Sequence, residues 1–310
     1  MNPLVGSRRN HSMIFRKIAL SRRSWIGRAS ILGTMMLTGC SAAGALNALV
    51  PSDSYALRPA MAYGPHPRQQ LDVYLPLARQ QAGPVVVFFY GGSWTTGERA
   101  SYRFVGEALA SRGISVVIAD YRLSPQVKYP VFLEDSAQAL RWTFEHLVEL
   151  GADRRQVFVM GHSAGAYNAA MLALDDRWLA GVGLQPAQLA GWIGLAGPYD
   201  FLPIGNPDVQ VAFEWPATPA DSQALLHASK NSPPALLLAA RADTTVNPVR
   251  NSEALARRLQ AVGVPVSLTV YDGVSHVTLL AAVAKPLRGL APVLERMVSF
   301  IQNPVAVSGE

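Results

Sequence analysis

Short apolar stretches recur along the chain, and most of the later ones are separated by longer stretches with helical periodicity. The apolar stretches predict strands over residues 60–63, 70–75, 85–90, 114–120, 156–160, 191–196, 235–240 and 265–271. Helices are predicted over residues 98–112, 132–150, 163–174, 251–262 and 287–302. Strands that alternate with helices pair in parallel, so the pattern predicts an α/β fold with a mostly parallel sheet. The first strands follow one another without helices and should form an antiparallel edge.

One long connection, residues 201–234, shows neither the pattern of a strand nor the periodicity of a helix. It contains Phe213, Trp215 and several prolines. Long irregular connections are uncommon in compact domains and are usually functional. A chain of 310 residues, half of them hydrophobic, is long enough to bury one large α/β core. We therefore expect a single domain in which this connection has a functional role.

The strand at 156–160 runs directly into Gly161-His162-Ser163-Ala164-Gly165, and a helical stretch of small residues follows. G-x-S-x-G between a strand and a helix is typical of a nucleophile elbow, a tight turn that lifts a serine hydroxyl clear of the sheet. Side chains at either glycine would collide where strand and helix cross, and the serine adopts a strained backbone conformation. The pattern predicts Ser163 as a catalytic nucleophile. The alternative is a glycine-rich turn with an ordinary serine.

An activated serine needs a base, and the base needs an acid to orient it. Two histidines follow Ser163 in the chain. His227 lies in a polar segment and is expected to be a solvated surface residue. His276 comes just after a predicted strand and a turn, where catalytic groups gather. We therefore predict His276 as the base.

Three aspartates that follow predicted strands are candidates for the acid. Asp243 comes after the strand at 235–240. Asp272 follows the last strand, but Gly273 comes directly after it, so a turn-forming role is the simpler explanation. Asp200 follows the strand at 191–196 and is the weakest candidate. Asp243 is the predicted acid, with Asp272 as the alternative.

The strand at 85–90 is wholly apolar or aromatic and leads into Gly91-Gly92-Ser93-Trp94. Glycines allow backbone N–H groups to approach a substrate and to point at a developing oxyanion. We predict Gly92 and Ser93 as two donors of an oxyanion hole, and Ala164, directly after the nucleophile, as the third. A simple Gly-Gly turn is the alternative.

Together these stretches resemble the α/β-hydrolase superfamily, and more closely the bacterial carboxylesterases of the hormone-sensitive-lipase type and their short-capped relatives. Other matching stretches are Leu-Asp-Val-Tyr-Leu-Pro at 71–76, Asp-Tyr-Arg-Leu-Ser-Pro at 120–125 and Gly-Pro-Tyr-Asp at 197–200. Such enzymes usually carry histidine before the two glycines and a third glycine after them. This chain has Tyr90 and Ser93 at those positions. The backbone donors survive the change, but the hydrogen bonds within the loop must differ.

The resemblance implies an α/β-hydrolase fold with helices on both faces of the sheet, a catalytic domain over residues 55–303 and a short cap insertion at 201–234. It implies a serine carboxylic-ester hydrolase that forms an acyl-enzyme with a small to medium ester. No metal or cofactor is expected, because one cysteine and scattered histidines offer no ligand set. Another acyl hydrolase on the same triad is the alternative, such as an arylformamidase, a feruloyl or acetyl-xylan esterase or a peptidase, because the fold does not separate these activities. A non-catalytic binding lipoprotein is the alternative from a different class.

The net charge of +6 comes from the N-terminus. Residues 1–39 carry seven lysines and arginines and no acid, so the rest of the chain is close to neutral and gives no reason to expect a nucleic-acid partner. A short apolar run at 29–37 follows these cations and ends in Leu-Thr-Gly-Cys at 37–40. The run is too short to span a bilayer and has the length of a signal-peptide core.

This N-terminus resembles the signal peptide and lipobox of bacterial lipoproteins, with residues 40–54 as a tether. The resemblance implies that Cys40, the only cysteine, carries a lipid and that the protein is exported and anchored to a membrane on the periplasmic or cell-surface side. A buried thiol is the alternative for Cys40. Arg22-Arg23 also resembles a twin-arginine signal, so the export route stays open, as do the natural substrate and the oligomeric state.

Overall fold

A computed structural model describes residue 44, residues 46–78 and residues 81–304. The predicted signal peptide at 1–39 and Cys40 lie outside the described residues. Within the described ranges, no helix is long and apolar enough to cross a membrane.

The described residues contain an eight-stranded sheet. In chain order, the strands are β1 (Tyr55–Ala62), β2 (Gln70–Pro76), β3 (Gly83–Phe89), β4 (Ser115–Ala119), β5 (Ala152–His162), β6 (Gly191–Leu195), β7 (Ala235–Ala240) and β8 (Val266–Tyr271). Their order across the sheet is β1-β2-β4-β3-β5-β6-β7-β8. β2 pairs antiparallel with both β1 and β4, and every other neighbouring pair is parallel. The predicted α/β fold and its antiparallel edge are confirmed.

Helices follow most of the parallel strands. In chain order, they are α1 (Arg103–Ala110), α2 (Val131–Glu145), α3 (Ala164–Leu174), α4 (Asp176–Ala180), α5 (Pro207–Ala212), α6 (Ala254–Ala261), α7 (His276–Ala281) and α8 (Val293–Gln302). Short 3₁₀ turns lie at Arg99–Tyr102, Pro186–Gln188, Ala220–Ser222, Ala224–His227 and Lys285–Leu287, and a π-helical turn at Val249–Glu253 leads into α6.

The central strands are buried on both faces. Every residue of β4, β6 and β7 is buried, and the Val85–Val87 stretch of β3 is fully excluded from solvent. Near-continuous apolar strands of this kind are typical of parallel sheets that are covered on both sides. They form a rigid core from which the loops after the strands project.

Several helices differ from their predicted bounds, and the short helices α4 and α5 have no predicted counterpart. α8 begins at Val293 rather than at 287, because Pro292 disfavours a helical conformation in the residue before it. α7 was not predicted. Ser275 caps it, accepting a hydrogen bond from Thr278 N–H, while Thr278 Oγ1 accepts one from Ser275 N–H. This Ser-x-x-Thr pattern is a variant of the capping box and was the available sequence signal.

The topology places the chemistry-bearing residues at one edge of the sheet. β3, β5, β7 and β8 run parallel, so their carboxyl ends meet at the same edge. Tyr90, Ser163, Asp243 and His276 each follow one of these ends. This edge is where open α/β sheets bind their ligands.

Candidate active site

Ser163 lies at the turn between β5 and α3. Its backbone has φ 54° and ψ −123°, a conformation that L residues rarely adopt. A Cβ added at Gly161 would lie 2.0 Å from the carbonyl oxygen of Gly165, and one added at Gly165 would lie 2.0 Å from that of Phe89. Only glycine fits at these two positions, so the strand and helix can cross closely. The predicted elbow is present, and Ser163 lines an open cleft.

The structure brings the predicted nucleophile, base and acid together in one hydrogen-bonded chain. His276 Nε2 lies 2.9 Å from Ser163 Oγ, and His276 Nδ1 lies 2.7 Å from Asp243 Oδ2. The imidazole therefore carries its proton on Nδ1, facing the carboxylate, and offers Nε2 as an acceptor to the serine hydroxyl. This geometry allows general-base activation of the serine.

Asp243 is held as an ionised carboxylate under the base. Its side chain is only 1% exposed, and Oδ1 accepts hydrogen bonds from the N–H groups of Thr245 and Val246 at 2.8 and 2.9 Å. Burial by itself would raise the pKa of this carboxyl. The hydrogen bonds from His276, Val246 and Thr245 outweigh burial, and the pKa of Asp243 lies below its ordinary value. The negative charge beside His276 stabilises an imidazolium at that position.

The two alternative acids lie elsewhere. Asp272 accepts a hydrogen bond from Arg241 Nε at 2.8 Å in an exposed ion pair. Asp200 pairs with Arg250 at 3.0 Å beside the cleft. Of the three aspartates, Asp243 is the one that contacts His276.

His227 lies outside the triad, and it is only partly solvated: its side chain is 18% exposed, at the end of a 3₁₀ turn. Its Nε2 lies 2.6 Å from the carbonyl oxygen of Asp221 and 3.7 Å from a carboxylate oxygen of Asp175. These contacts link the 201–234 segment to the start of α4.

The loop after β3 is tightly turned where oxyanion donors were predicted. Gly92, Ser93 and Trp94 have φ values of 122°, 53° and 59°, and the last two are unusual for L residues. The carbonyl oxygen of Gly92 accepts hydrogen bonds from Thr95 N–H and Thr96 N–H at 2.9 and 3.0 Å. These two hydrogen bonds close the turn within the loop itself.

Two of the three predicted oxyanion donors line the cleft with Ser163. They are Ser93 and Ala164, whereas Gly92 does not line it. Ala164 is the first residue of α3, where a backbone N–H has no partner within the helix. A Cβ added at Gly91 would lie 2.8 Å from Ser163 Cβ, so this glycine permits the close approach of the loop to the nucleophile.

Tyr90, directly before the two glycines of the loop, points away from the serine into a buried polar cluster. Its hydroxyl donates to Asp120 Oδ1 at 2.6 Å and accepts from Arg68 Nη2 at 2.8 Å. Its ring stacks with Tyr102 and Tyr121 at centroid distances of 5.2 and 5.0 Å. Burial and the charge of Asp120 raise the pKa of Tyr90 well above its ordinary value, so the phenol stays protonated and remains a donor.

Asp120 extends this cluster to the antiparallel part of the sheet. It accepts hydrogen bonds from the backbone N–H and the guanidinium of Arg99 as well as from Tyr90. Arg99 Nε also donates to Asp72 of β2 at 2.8 Å. The Asp120 cluster, defined as Asp72, Tyr90, Arg99 and Asp120, therefore bonds the start of the oxyanion loop to β2.

His162 was not singled out from the sequence, yet it lies against the catalytic groups. Its ring is buried, and its Nε2 lies 2.9 Å from the backbone carbonyl oxygen of His276. The two imidazole centroids are 4.9 Å apart. The available signal was the histidine inside the elbow motif, directly before the nucleophile.

The cleft beside Ser163 has a volume of about 330 Å³. Its apolar lining comes from Trp94, Pro198, Phe201, Pro203, Ile204, Val209 and Val246. Polar side chains line it as well, among them Asn206, Asn247 and Arg250. Such a site accepts a substrate with an apolar portion and some polar groups. Among the described residues, no group of three or more histidine, cysteine or acidic side chains is arranged to hold a metal ion.

A protein-family model named BD-FAE matches residues 71–259, more than half of the chain. The chain belongs to the BD-FAE family. An isoprenylcysteine alpha-carbonyl methylesterase from Arabidopsis thaliana is 30% identical to this BD-FAE member over 257 residues, which cover 76% of the chain and 60% of the plant protein. The chain thus spans about 60% of the length of that relative.

The BD-FAE member is also similar to two other esterases. Carboxylesterase NlhH of Mycobacterium tuberculosis is 38% identical over 110 residues, which are 35% of the chain and 34% of that protein. The solved structure of an esterase from Pyrobaculum calidifontis is 24% identical, covers 86% of the chain and 91% of that structure, and has a TM-score of 0.69, a likeness of fold. The resemblance to α/β-hydrolases and to carboxylesterases of the hormone-sensitive-lipase type is confirmed.

Proposed function

We propose that the chain is a serine hydrolase that cleaves carboxylic esters through an acyl-enzyme on Ser163. The observation that carries the proposal is the unbroken chain of hydrogen bonds from Asp243 through His276 to Ser163 Oγ, beside an open cleft. The strained loop that carries Ser93 lies against the same serine. Nucleophile, base, acid and electrophilic donors are all present at one site, as acyl transfer requires.

In the first half of the proposed reaction, Ser163 Oγ attacks the ester carbonyl carbon while His276 Nε2 takes the hydroxyl proton. The carbonyl oxygen becomes an oxyanion that the N–H groups of Ser93 and Ala164 stabilise, each worth about 3 kcal/mol. The tetrahedral intermediate collapses, the C–O bond to the alcohol breaks, and His276 returns the proton to the leaving oxygen. Asp243 stabilises the imidazolium throughout.

In the second half, water replaces the alcohol and the same groups act again. His276 takes a proton from water, whose oxygen attacks the acyl carbon. The second tetrahedral intermediate collapses, releasing the carboxylic acid as the proton returns to Ser163 Oγ. The carboxylate of Asp243, ionised because its pKa is lowered, favours the charged imidazole in both halves.

We propose that residues 201–234 form the short cap over this cleft and limit substrate size. Phe201, Ile204 and Val209 of this segment line the cleft, and the Phe213 ring packs on Trp94 of the oxyanion loop at 4.8 Å. A cleft of about 330 Å³ is at the small end for ligand pockets, which favours small to medium esters. Val209→Trp should therefore shorten the longest acyl chain that is hydrolysed while short esters are still cleaved.

Ester hydrolysis is tested with a series of p-nitrophenyl esters from acetate to dodecanoate, methyl esters of S-alkylated cysteine, and p-nitroanilide amides. Fluorophosphonate labelling reports the activated serine without any choice of substrate. Ser163→Ala should abolish both labelling and ester cleavage. Ser299→Ala changes an exposed serine of α8 and is the matched control that should retain both.

Three results would contradict the proposal. Ester cleavage that survives in Ser163→Ala would remove the nucleophile from the mechanism. A wild-type protein that fluorophosphonate does not label would fit the non-catalytic binding lipoprotein. Faster hydrolysis of amides than of matched esters would favour an amidase or peptidase on the same triad.

We propose further that the protein is an exported lipoprotein, anchored through Cys40. The support is the basic N-terminal stretch, the short apolar run and Leu-Thr-Gly-Cys at 37–40. Cys40→Ser should leave an unprocessed precursor that takes up no labelled palmitate. Labelling or normal processing in this variant would contradict the anchor without affecting the esterase proposal.

A further inference from the structure

His162 is buried beside the triad, yet the proposed reaction gives its side chain no proton to move. Its Nε2 lies 2.9 Å from the backbone carbonyl oxygen of His276. A carbonyl oxygen only accepts hydrogen bonds, so Nε2 must carry the proton and donate it. The imidazole of His162 is therefore hydrogen-bonded to the backbone of His276.

The same ring also contacts the loop that carries the predicted oxyanion donors. A Cβ added at Gly91 would lie 3.2 Å from His162 Nδ1, within contact distance of the ring. In the chain, His162 directly precedes Ser163 at the end of β5. One buried side chain thus borders the nucleophile, the base and the oxyanion loop.

The ring must stay neutral for this arrangement to work. Burial and the nearby His276 lower the pKa of His162 to about 3. The ring of His162 therefore carries no charge near neutral pH. A charged ring 4.9 Å from His276 would oppose the imidazolium that forms during the reaction.

We propose that His162 is a positioning residue for the catalytic base, on the premise that the chain is the serine hydrolase proposed above. By donating Nε2–H to the His276 carbonyl, it fixes the backbone of His276 at the start of α7. The imidazole of His276 is thereby held between Ser163 Oγ and Asp243. If His162 only filled space, the shape of its ring would matter and its N–H donor would not.

Two variants separate the donor from the shape. His162→Phe keeps a planar ring without a donor, and His162→Gln keeps an N–H near the position of Nε2 without the ring. The readouts are kcat and KM for p-nitrophenyl acetate and the second-order rate of fluorophosphonate labelling. We expect His162→Phe to lower kcat and the labelling rate about tenfold, the effect of one hydrogen bond, with KM changed less than about twofold. His162→Gln should recover most of the loss.

Other patterns would overturn the positioning role. Wild-type rates in His162→Phe, or rates in His162→Gln as low as in His162→Phe, would mean that the donor does not matter. The wild-type protein gives a test that needs no variant to fold: nitrogen-15 NMR of the imidazoles must show the proton of His162 on Nε2, and a proton on Nδ1 overturns the proposal. The esterase proposal fails separately, if Ser163→Ala keeps its activity.

Discussion

Tyr90→Phe removes one oxygen atom from the centre of the Asp120 cluster and leaves the ring in place. In the wild type this oxygen donates to Asp120 at 2.6 Å and accepts from Arg68 at 2.8 Å, with the tyrosine fully buried. A hydrogen bond to a charged group contributes about 1.5–3 kcal/mol to stability. Asp120 keeps its two bonds from Arg99, so it is not left unpaired. We expect a loss of about 2 kcal/mol in the free energy of unfolding.

The effect on turnover should be smaller than the effect on stability. The phenol points away from Ser163, and the oxyanion turn is also closed by the bonds from Thr95 and Thr96 to the Gly92 carbonyl. We therefore expect kcat for p-nitrophenyl acetate to fall about tenfold or less, equivalent to roughly 1 kcal/mol. Tyr90→Ala should lower both the free energy of unfolding and kcat further than Tyr90→Phe, because it also opens a cavity beneath the loop.

The measurements are the unfolding midpoint in urea, the thermal midpoint and steady-state kinetics. For a domain of this size, a loss of 2 kcal/mol lowers Tm by roughly 4–8 °C. Tyr121→Phe is the matched control: it also removes a buried hydroxyl from the ring stack, but that hydroxyl donates at 2.8 Å to the neutral carbonyl of Tyr90. Its expected cost is about 1 kcal/mol.

Two results would refute this reasoning. If Tyr90→Phe is as inactive as Ser163→Ala while its unfolding midpoint is unchanged, the phenol takes part in the chemistry. If Tyr90→Phe is no less stable than Tyr121→Phe, the bond to the carboxylate is worth no more than a neutral one.

Three further predictions follow from the geometry of the site. Asp243→Asn should lower kcat by about 10⁴-fold, because an amide favours the wrong tautomer of His276. Asp272→Asn, which changes an exposed ion pair, should keep a kcat close to that of the wild type. Equal losses of kcat in the two variants would contradict the assignment of Asp243 as the acid. Because the folded-state pKa of His162 is lowered from 6.5 to about 3, its stabilising effect is complete above pH 6.5 and is lost as the pH falls towards 3. The unfolding free energy should drop by up to about 1.4 kcal/mol per pH unit in that window, and urea titrations should show a shallower slope for His162→Gln. Gly165→Ala should cost more than about 3 kcal/mol or prevent folding, because its Cβ would meet backbone atoms at 2.0 Å, while Gly289→Ala, with nothing within 4 Å, should be tolerated in thermal unfolding.

The sequence was sufficient where local chemistry decides the structure. The apolar runs predicted the strands, and the glycines of the elbow predicted the turn at Ser163. Asp243 could be preferred over Asp272 because Asp272 precedes a glycine that explains it as a turn residue. In each case the deciding interaction lies within a few residues of the pattern.

The sequence was insufficient where partners are distant in the chain. Tyr90 could be recognised as a change in the oxyanion loop, but its partner Asp120 lies 30 residues away, directly after the neighbouring strand β4. The contact between His162 and His276 joins residues 114 positions apart and depends on where α7 begins. His227 was expected in solvent because its segment is polar, and only the folded 3₁₀ turn brings it to a carbonyl.

The Asp120 cluster also has a consequence for how this protein would behave under random mutagenesis. Asp72 lies on β2, outside the cleft, yet Arg99 and Asp120 join it to the residue that begins the oxyanion loop. A substitution at Asp72 frees one end of Arg99, so its harm should depend on whether Tyr90 and Asp120 are intact. Activity screens would then report epistasis between Asp72 of β2 and positions in the loops after β3 and β4. Libraries restricted to the cleft would miss these positions.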